Sequence, residues 1–480
     1  MNFKTNFLIL ISFFLILGNV EAKINLPHVI ASNMVLQQQT QVHLWGLAKY
    51  NTDVTVQTSW NNRSYVTRSD GEGRWIISVS TPKAGGPYDI TISDGESLNL
   101  NNVLIGEVWF CSGQSNMEMP VKGYTSMPVK GADEVIALAK ASVPIRIFMA
   151  KRSASKKLEE DCPGIWAINE GTGVADASAT AYFFAKFMEE TLGVPIGIIV
   201  SSWGGTQIES FMSKETLQKV APEFSFSDLE GQKKVKSPNH KPCMLYNGMI
   251  YPFRNLTFKG MIWYQGESNR HNPEQYHRLF PAFVNEMREN VFHLGQFPFY
   301  YVQIAPHKYD GENLIQTAEI REIQLHCLQE IPNSGMAVTM DIPGPSYNIH
   351  PCYKKEVGMR LGLWALAKTY GKKGISYSGP IYEKLEIQDN KAFIRFNHAD
   401  NGLTPFYESL SGFEIAGADS VFYPAYAAVN RSKQYVEVSS ESVLNPVAVR
   451  YCFKNYVVGS LFNNYGLPAS SFRTDDWPLK

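Results

Sequence analysis

Four short segments of this chain hold the residue types that acyl transfer requires. They are Gly113-Gln-Ser-Asn116, Trp203-Gly-Gly-Thr206, Gln265-Gly-Glu-Ser-Asn269 and Asn348-Ile-His-Pro351. A serine hydroxyl attacks a carbonyl when a neighbouring base takes its proton, and the tetrahedral intermediate needs donors aimed at its oxygen. Ser115 supplies the hydroxyl and His350 the base. The backbone N–H groups of Ser115 and of Gly204 or Gly205 supply donors, with the side-chain amide of Gln265 first and Asn269 second beside them. A glycine at a donor position lets substrate come close to the backbone. Taken singly, each segment has a plainer reading: Ser115 as a helix cap, His350 as a loop histidine, Gly204-Gly205 as a turn. A carboxylate-based glycosidase would need a partner for Glu267, and neither Glu107 nor Glu118 stands at a recommending spacing.

The elements that place these segments are read from apolar runs. Val103–Phe110, Pro195–Val200, Lys259–Tyr264 and Gly335–Met340 are buried strands, and each one precedes one of the four segments. Pro144–Met149 and Phe297–Ile304 are further strands. Helices alternate with them: Asp176 to Leu192 with Asp176 as N-cap and Gly193 closing it, Pro273 to Glu289, Asn313 to Leu328, and Lys354 to Thr369, which packs Val357, Leu361, Trp364 and Ala365. This alternation predicts an α/β fold, a doubly wound parallel sheet, over residues 103–375. Parallel strands carry all four segments to one sheet edge, so the plainer readings would have to hold four times over. Residues 23–102 and 376–480 are short alternating runs between turn residues, which predicts a β-sandwich-like domain before the core and an all-β domain after it.

Composition bounds the setting. Lys4, the apolar run Phe7–Leu17 and small residues at Val20–Ala22 read as a secretory signal peptide over residues 1–22. The mature chain is expected to be exported, to a periplasm or the outside, or to a lysosome in a eukaryotic host. No later stretch approaches the ~20 apolar residues of a membrane span. With 44 Lys+Arg against 45 Asp+Glu, the chain has no basic footprint for nucleic acid. Six cysteines allow 15 pairings and no spacing selects one. No metal-ligand spacing occurs, so neither metal nor cofactor is expected. Oligomeric state is not written in the sequence.

The blocks Gly106-Glu-Val-Trp-Phe-Cys-Ser-Gly-Gln-Ser-Asn-Met-Glu118, Trp203-Gly-Gly-Thr-Gln-Ile-Glu209, Gly260-Met-Ile-Trp-Tyr-Gln-Gly-Glu-Ser-Asn269 and Ile349-His-Pro351 also carry a resemblance. Together with the tail Gly466–Asp476, they resemble the sialate O-acetylesterase family, part of the broader SGNH (GDSL-like) hydrolases. Met117, where an α/β-hydrolase elbow has glycine, argues against that other fold. The resemblance implies an SGNH, flavodoxin-like core between accessory β domains. It implies a metal-free serine esterase that removes O-acetyl groups from sugars, with Ser115 as nucleophile and His350 as base. Gln114, Asn116 and Glu267 are assigned to substrate contacts. The sequence departs from the superfamily pattern at Tyr347, where an aspartate usually stands three residues before the histidine. Asp341 or a backbone carbonyl is left to orient the ring. The third block reads Gly-Glu-Ser-Asn where many members have Gly-x-Asn-Asp, which is why Gln265 is the favoured donor. Acetylated polysaccharide such as xylan is the rival substrate, and a non-catalytic sugar-binding protein with a decayed core is the rival class. Residues 124–140 and 224–244 are expected to wall the site.

Overall fold

In the computed structural model, which describes residues 23–231, 233–430 and 434–479, one strand, Ser97–Gly113, runs through two layers. Its first half pairs antiparallel with Gly85–Ser93, while Val35–Gln37 lies parallel to it at Leu104–Gly106. Its second half enters the central sheet between Ile196–Ser202 and Gly260–Tyr264. Across that sheet the order is Ser334–Ala337, Phe299–Val302, Gly260–Tyr264, Ser97–Gly113, Ile196–Ser202, Ile145–Ala150, Gly164–Ile168. Every neighbouring pair is parallel except the last.

The sheet is therefore mixed, which corrects the expectation of a purely parallel one. Gly164–Ile168 returns beside Ile145–Ala150 without a crossover helix, and a direct return of this kind can only be antiparallel. From the central strand the chain first builds to one side, then crosses to Gly260–Tyr264 and builds to the other. At such a reversal the loops at the strands' carboxyl ends diverge and open a crevice.

Side chains alternate across the sheet with period two, so successive residues of one strand enter different cores. Trp109 and Cys111 join Phe184, Ala185 and Met188 of helix Ala179–Leu192, and Val357 and Leu361 of helix Lys354–Trp364. Phe110 points the other way, against Phe253, Phe258 and Phe292. On that second face Phe280 and Phe283 of helix Pro273–Glu286 pack on Phe299, Tyr301 and Trp263.

Helix Ala179–Leu192 starts two residues later than expected. Ser178 is its cap, its Oγ accepting from the Ala181 N–H at 3.1 Å, and Asp176 instead closes a short helix Gly171–Asp176. Its other end is as expected, with Gly193 at φ +65°.

Two four-stranded antiparallel sheets follow the core. One is built from Ile381–Gln388, Lys391–Asn397, Tyr435–Ser439 and Tyr426–Asn430. The other is built from Phe422–Pro424, Phe413–Ala416, Ala448–Tyr451 and Phe472–Arg473. They are fastened to helix Gln316–Glu330 by buried polar contacts: Asn455 Oδ1 accepts from the Thr317 N–H at 3.0 Å, and Arg321 Nε donates to Ser471 Oγ at 3.1 Å. All six cysteines are free thiols. Among the described residues no helix is long and apolar enough to cross a membrane. The signal-peptide segment, residues 1–22, lies outside the described residues.

The central strand ends at Gly113 with φ +140°, where an added Cβ would sit 2.2 Å from the Tyr264 carbonyl oxygen. Overpacking against backbone and strain at that φ act together. Gly113→Ala is expected to cost on the order of 3 kcal/mol, seen as a lower urea or thermal midpoint by circular dichroism.

Candidate active site

The close approach at Gly113 fixes where the chain turns. Gln114 stays extended, its N–H donating to the Tyr264 carbonyl at 2.9 Å, and Ser115 opens the one-turn helix Ser115–Glu118. The Ser115 hydroxyl thus stands half-buried at the carboxyl end of the central strand, and among the described residues it has no hydrogen-bond partner. Gly204 packs against it: a Cβ on Gly204 would lie 3.2 Å from Ser115 Cβ.

The next residue, Asn116, is fully buried and ties three loops together. Its Nδ2 donates to Glu267 Oε1 at 2.7 Å and to the Ile349 carbonyl at 3.1 Å, while its Oδ1 accepts from Lys354 Nζ at 2.5 Å. Burial raises the Glu267 carboxyl above its usual range, although the Asn116 donor and Lys354 pull it back. Burial likewise lowers the Lys354 ammonium to about 7, against the pull of Glu267. Lys354 also lies over the Tyr264 ring, 5.4 Å from its centroid.

The Ile349 contact puts His350 on the same edge as Ser115. The His350 backbone N–H donates to Asn348 Oδ1 at 2.9 Å, the ring packs edge-on to Tyr124 at 5.4 Å, and Nδ1 faces Met127 Sδ at 3.1 Å. The Tyr124 hydroxyl reaches back to the Ser115 carbonyl at 3.5 Å. His350 Nε2 is buried and unpartnered among the described residues. Desolvation, then the charges of Lys354 and His307, lower the imidazole to about 4. Tyr124 and Met127 lie in one of the segments expected to wall the site. Asn239, from the other, donates to the Gly204 carbonyl at 3.1 Å.

Several expected roles are filled differently. Asp341 does not orient His350, because both its oxygens are held by Arg360 at 2.8 and 2.7 Å. Gln265 is not a free donor, because its Nε2 donates to the Thr206 carbonyl at 3.1 Å and to Asn269 Oδ1 at 2.6 Å, while Asn269 Nδ2 gives one of its two N–H groups to Glu209 Oε2 at 3.0 Å. The Gly204 N–H donates to Glu118 Oε2 at 2.8 Å, and Arg152 holds that carboxylate at 2.6 and 2.7 Å. The N–H groups of Ser115 and Gly205 donate to no described residue, and Gly205 holds φ +71°. Gln114, Asn116 and Glu267, assigned to substrate, are buried and bond the loops to one another. Gln114 Oε1 accepts from the N–H groups of Gly266 and Ser268 at 3.5 and 3.3 Å.

A family model described as carbohydrate esterase, sialic acid-specific acetylesterase, matches residues 105–370, more than half of the chain. The chain belongs to this family. It is accordingly a carboxylic ester hydrolase. The sialate O-acetylesterase of Homo sapiens is 31% identical over 404 residues, covering 77% of this chain and 75% of that one. The Mus musculus sialate O-acetylesterase is 29% identical over 441 residues, with 80% of each chain covered. A crystal structure of a carbohydrate acetylesterase from Xanthomonas citri superposes with a TM-score of 0.85 at 32% identity, covering 95% of this chain and 100% of that one.

Lys354 was missed among the esterase's site residues, yet the sequence carried a signal. It stands on the helical stripe Lys354, Val357, Leu361, Trp364, a core-facing row in which a charge needs a partner. Away from the four loops, His277, Cys327 and Glu330 bring ligand-type atoms within 4.8 Å of one another, and His277 Nε2 and Glu330 Oε1 are 2.9 Å apart. Cys327 belongs to a different helix from His277, so linear spacing did not reveal the group.

Removing one partner of a buried charged set strands the others. Lys354→Met is expected to cost about 3–5 kcal/mol in chemical denaturation. Glu267→Gln in the same chain should recover part of that loss, as a double-mutant cycle would register.

Proposed function

We propose that this chain is an exported serine esterase that removes O-acetyl groups from carbohydrates, sialic acids first among them. Ser115 is the nucleophile and His350 the general base. The observation that carries the reading is the Asn116 side chain. Its hydrogen bond to the Ile349 carbonyl holds the residue before His350 against the residue after Ser115. The core topology, with loops diverging on either side of the central strand, fits an SGNH-type hydrolase. The leader-like residues 1–22 support export.

In this mechanism Ser115 Oγ attacks the acetyl carbonyl and its proton passes to His350 Nε2. The carbonyl oxygen becomes an oxyanion, held by the N–H groups of Ser115 and Gly205. These backbone donors remain once Glu118 has taken Gly204, and both N–H groups of the Gln265 amide are spent on Thr206 and Asn269. The tetrahedral intermediate collapses, the sugar oxygen leaves with the Nε2 proton, and acetyl-Ser115 remains. Water then attacks that ester, gives a proton to Nε2, and acetate departs as Ser115 Oγ takes the proton back.

The tautomer matters in this scheme. A proton on Nδ1, directed at the weak thioether acceptor Met127 Sδ, leaves Nε2 bare to receive one. No carboxylate of a described residue pairs with the ring, so the imidazolium gains little stabilisation and the base is weak. A second reading, acetylated polysaccharide, draws on the Xanthomonas citri relative, which is described as a carbohydrate acetylesterase.

Ser115→Ala and His350→Ala should each cut acetate release from O-acetylated sialic acids and xylan oligomers by roughly 10³-fold or more. Wild-type rates in the Ser115→Ala protein would sink the assignment in favour of a sugar-binding protein. Because His350 acts as a base only when neutral, and its folded value is about 4, kcat/KM should hold through pH 5–6 and fall only near pH 4. A fall centred near 6.5, where an unperturbed histidine titrates, would contradict the desolvated placement.

A further inference from the structure

The loop edge holds a group that neither the fold nor the acyl-transfer scheme uses. Arg270 follows the short turn Glu267–Asn269 and is half-buried, with its guanidinium 4.4 Å from the centroid of the Tyr309 ring. Its one hydrogen bond is a long one, 3.4 Å, from Nη1 to the Glu267 carbonyl. Its Nε is buried without a partner.

Buried Nε atoms without a partner also occur at Arg146 and Arg360, away from the four loops, but most buried arginines have strong partners. Arg360 is paired through two nitrogens with Asp341 and Arg450 with Asp475, while Arg288 and Arg321 are ringed by backbone carbonyls and side-chain oxygens. Arg270 forms no ion pair with any described residue. A guanidinium drawn partly out of water with no anion beside it is costly, and such groups are normally completed by something.

The surroundings say what completes it. The Tyr309 hydroxyl, Glu267 Oε2 and His350 Nε2, on or beside the loops of the reaction centre, are likewise buried and unpartnered, as are several polar atoms elsewhere in the molecule. The Tyr309 ring under Arg270 packs on His307 at 4.3 Å, and the Lys308 N–H donates to the Ser346 carbonyl at 2.9 Å, so this cluster adjoins the loop that carries His350. The Glu267 carboxyl is engaged by Asn116 at 2.7 Å, and Arg270 reaches only the Glu267 backbone carbonyl. A guanidinium held over an aromatic ring still has N–H donors at its rim, and guanidinium donors match a carboxylate.

We propose that Arg270 is a specificity-determining residue that receives the carboxylate of an acidic O-acetylated sugar, holding the ring so that an ester on another carbon meets Ser115. This rests on the esterase reading above and narrows it: sugar acids are favoured over neutral acetylated sugars. Arg270 takes no part in proton transfer.

The test compares one acetylated sialic acid with its own methyl ester, two substrates that differ only at the carboxylate. Wild-type protein is expected to favour the free acid in kcat/KM by roughly tenfold to a hundredfold, the range for a hydrogen bond to a charged group. In Arg270→Met that ratio should fall to near one, and Arg270→Lys should keep part of it. Equal rates on acid and ester in the wild type, or a preference that survives Arg270→Met, would overturn the assignment while leaving the esterase reading intact. Should the methionine variant fail to fold, Arg270→Gln takes its place, with the same fall in the ratio expected and a surviving preference overturning the assignment. Acetate release from neither substrate nor from xylan oligomers would remove the esterase reading, and this one with it.

Discussion

The site hangs on a side-chain amide placed between opposite buried charges. Asn116 offers its N–H to Glu267 and its carbonyl to Lys354, and neither charge reaches the other directly. An amide so placed cannot flip, because reversal would set its oxygen against a carboxylate and its N–H against an ammonium. The remaining N–H is thereby aimed at the Ile349 carbonyl. The position of the imidazole one residue further on is thus set by two ionisable groups, Glu267 and Lys354, neither of which hydrogen-bonds to it. A network of this kind stabilises only when complete, since each member left alone would be a buried polar orphan.

Burial that secures the network also shapes the chemistry. A histidine in a solvated site beside a carboxylate would be a stronger base and a better-held cation. Here the ring is desolvated, faces a thioether, and feels the positive charges of Lys354 and His307. The same dryness strengthens every donor that meets the developing oxyanion, because hydrogen bonds are electrostatically stronger in a low-dielectric site. A weak base and a well-insulated oxyanion site pull the rate in opposite directions. The balance favours an enzyme that keeps its base neutral well below neutral pH.

Much of this was legible in the sequence. The four strand-to-loop junctions, the alternation of strand and helix, and the flanking β layers follow from apolar runs and turn residues, as does the end of helix Ala179–Leu192 at Gly193. The edge strand Gly164–Ile168 was not legible, because Gly-Ile-Trp-Ala-Ile is too short to show a period and its direction depends on pairing. Nor was the cap at Ser178: Asp176 is as good a cap by type, and only the local hydrogen bonds choose. Within the site, residue types pointed to polar side chains without saying which of them meet each other. Gln265 and Asn269 look like free donors in a linear string, and folding turns Gln265 to the Thr206 carbonyl and Asn269 Oδ1, and one N–H of Asn269 to Glu209. Arg270 and Tyr309 lie 39 positions apart and become neighbours only through adjacent strands.

The glycine pair Gly204-Gly205 shows how far type and role can separate. Both residues invite the same reading, a backbone donor that substrate can approach. Gly204 packs closely, since a Cβ there would lie 3.0 Å from Glu118 Oε2 and 3.2 Å from Ser115 Cβ, and its N–H is turned inward to Glu118. Glu118 sits three residues after Ser115, on the same face of the short helix, and Arg152 fixes its carboxylate. That ion pair therefore latches the second loop onto the turn that carries the nucleophile. Gly205, at φ +71°, takes a conformation that favours glycine, and its own N–H donates to no described residue. One glycine holds the loop close and the next keeps a donor free. The division depends on a glutamate and an arginine from other parts of the chain.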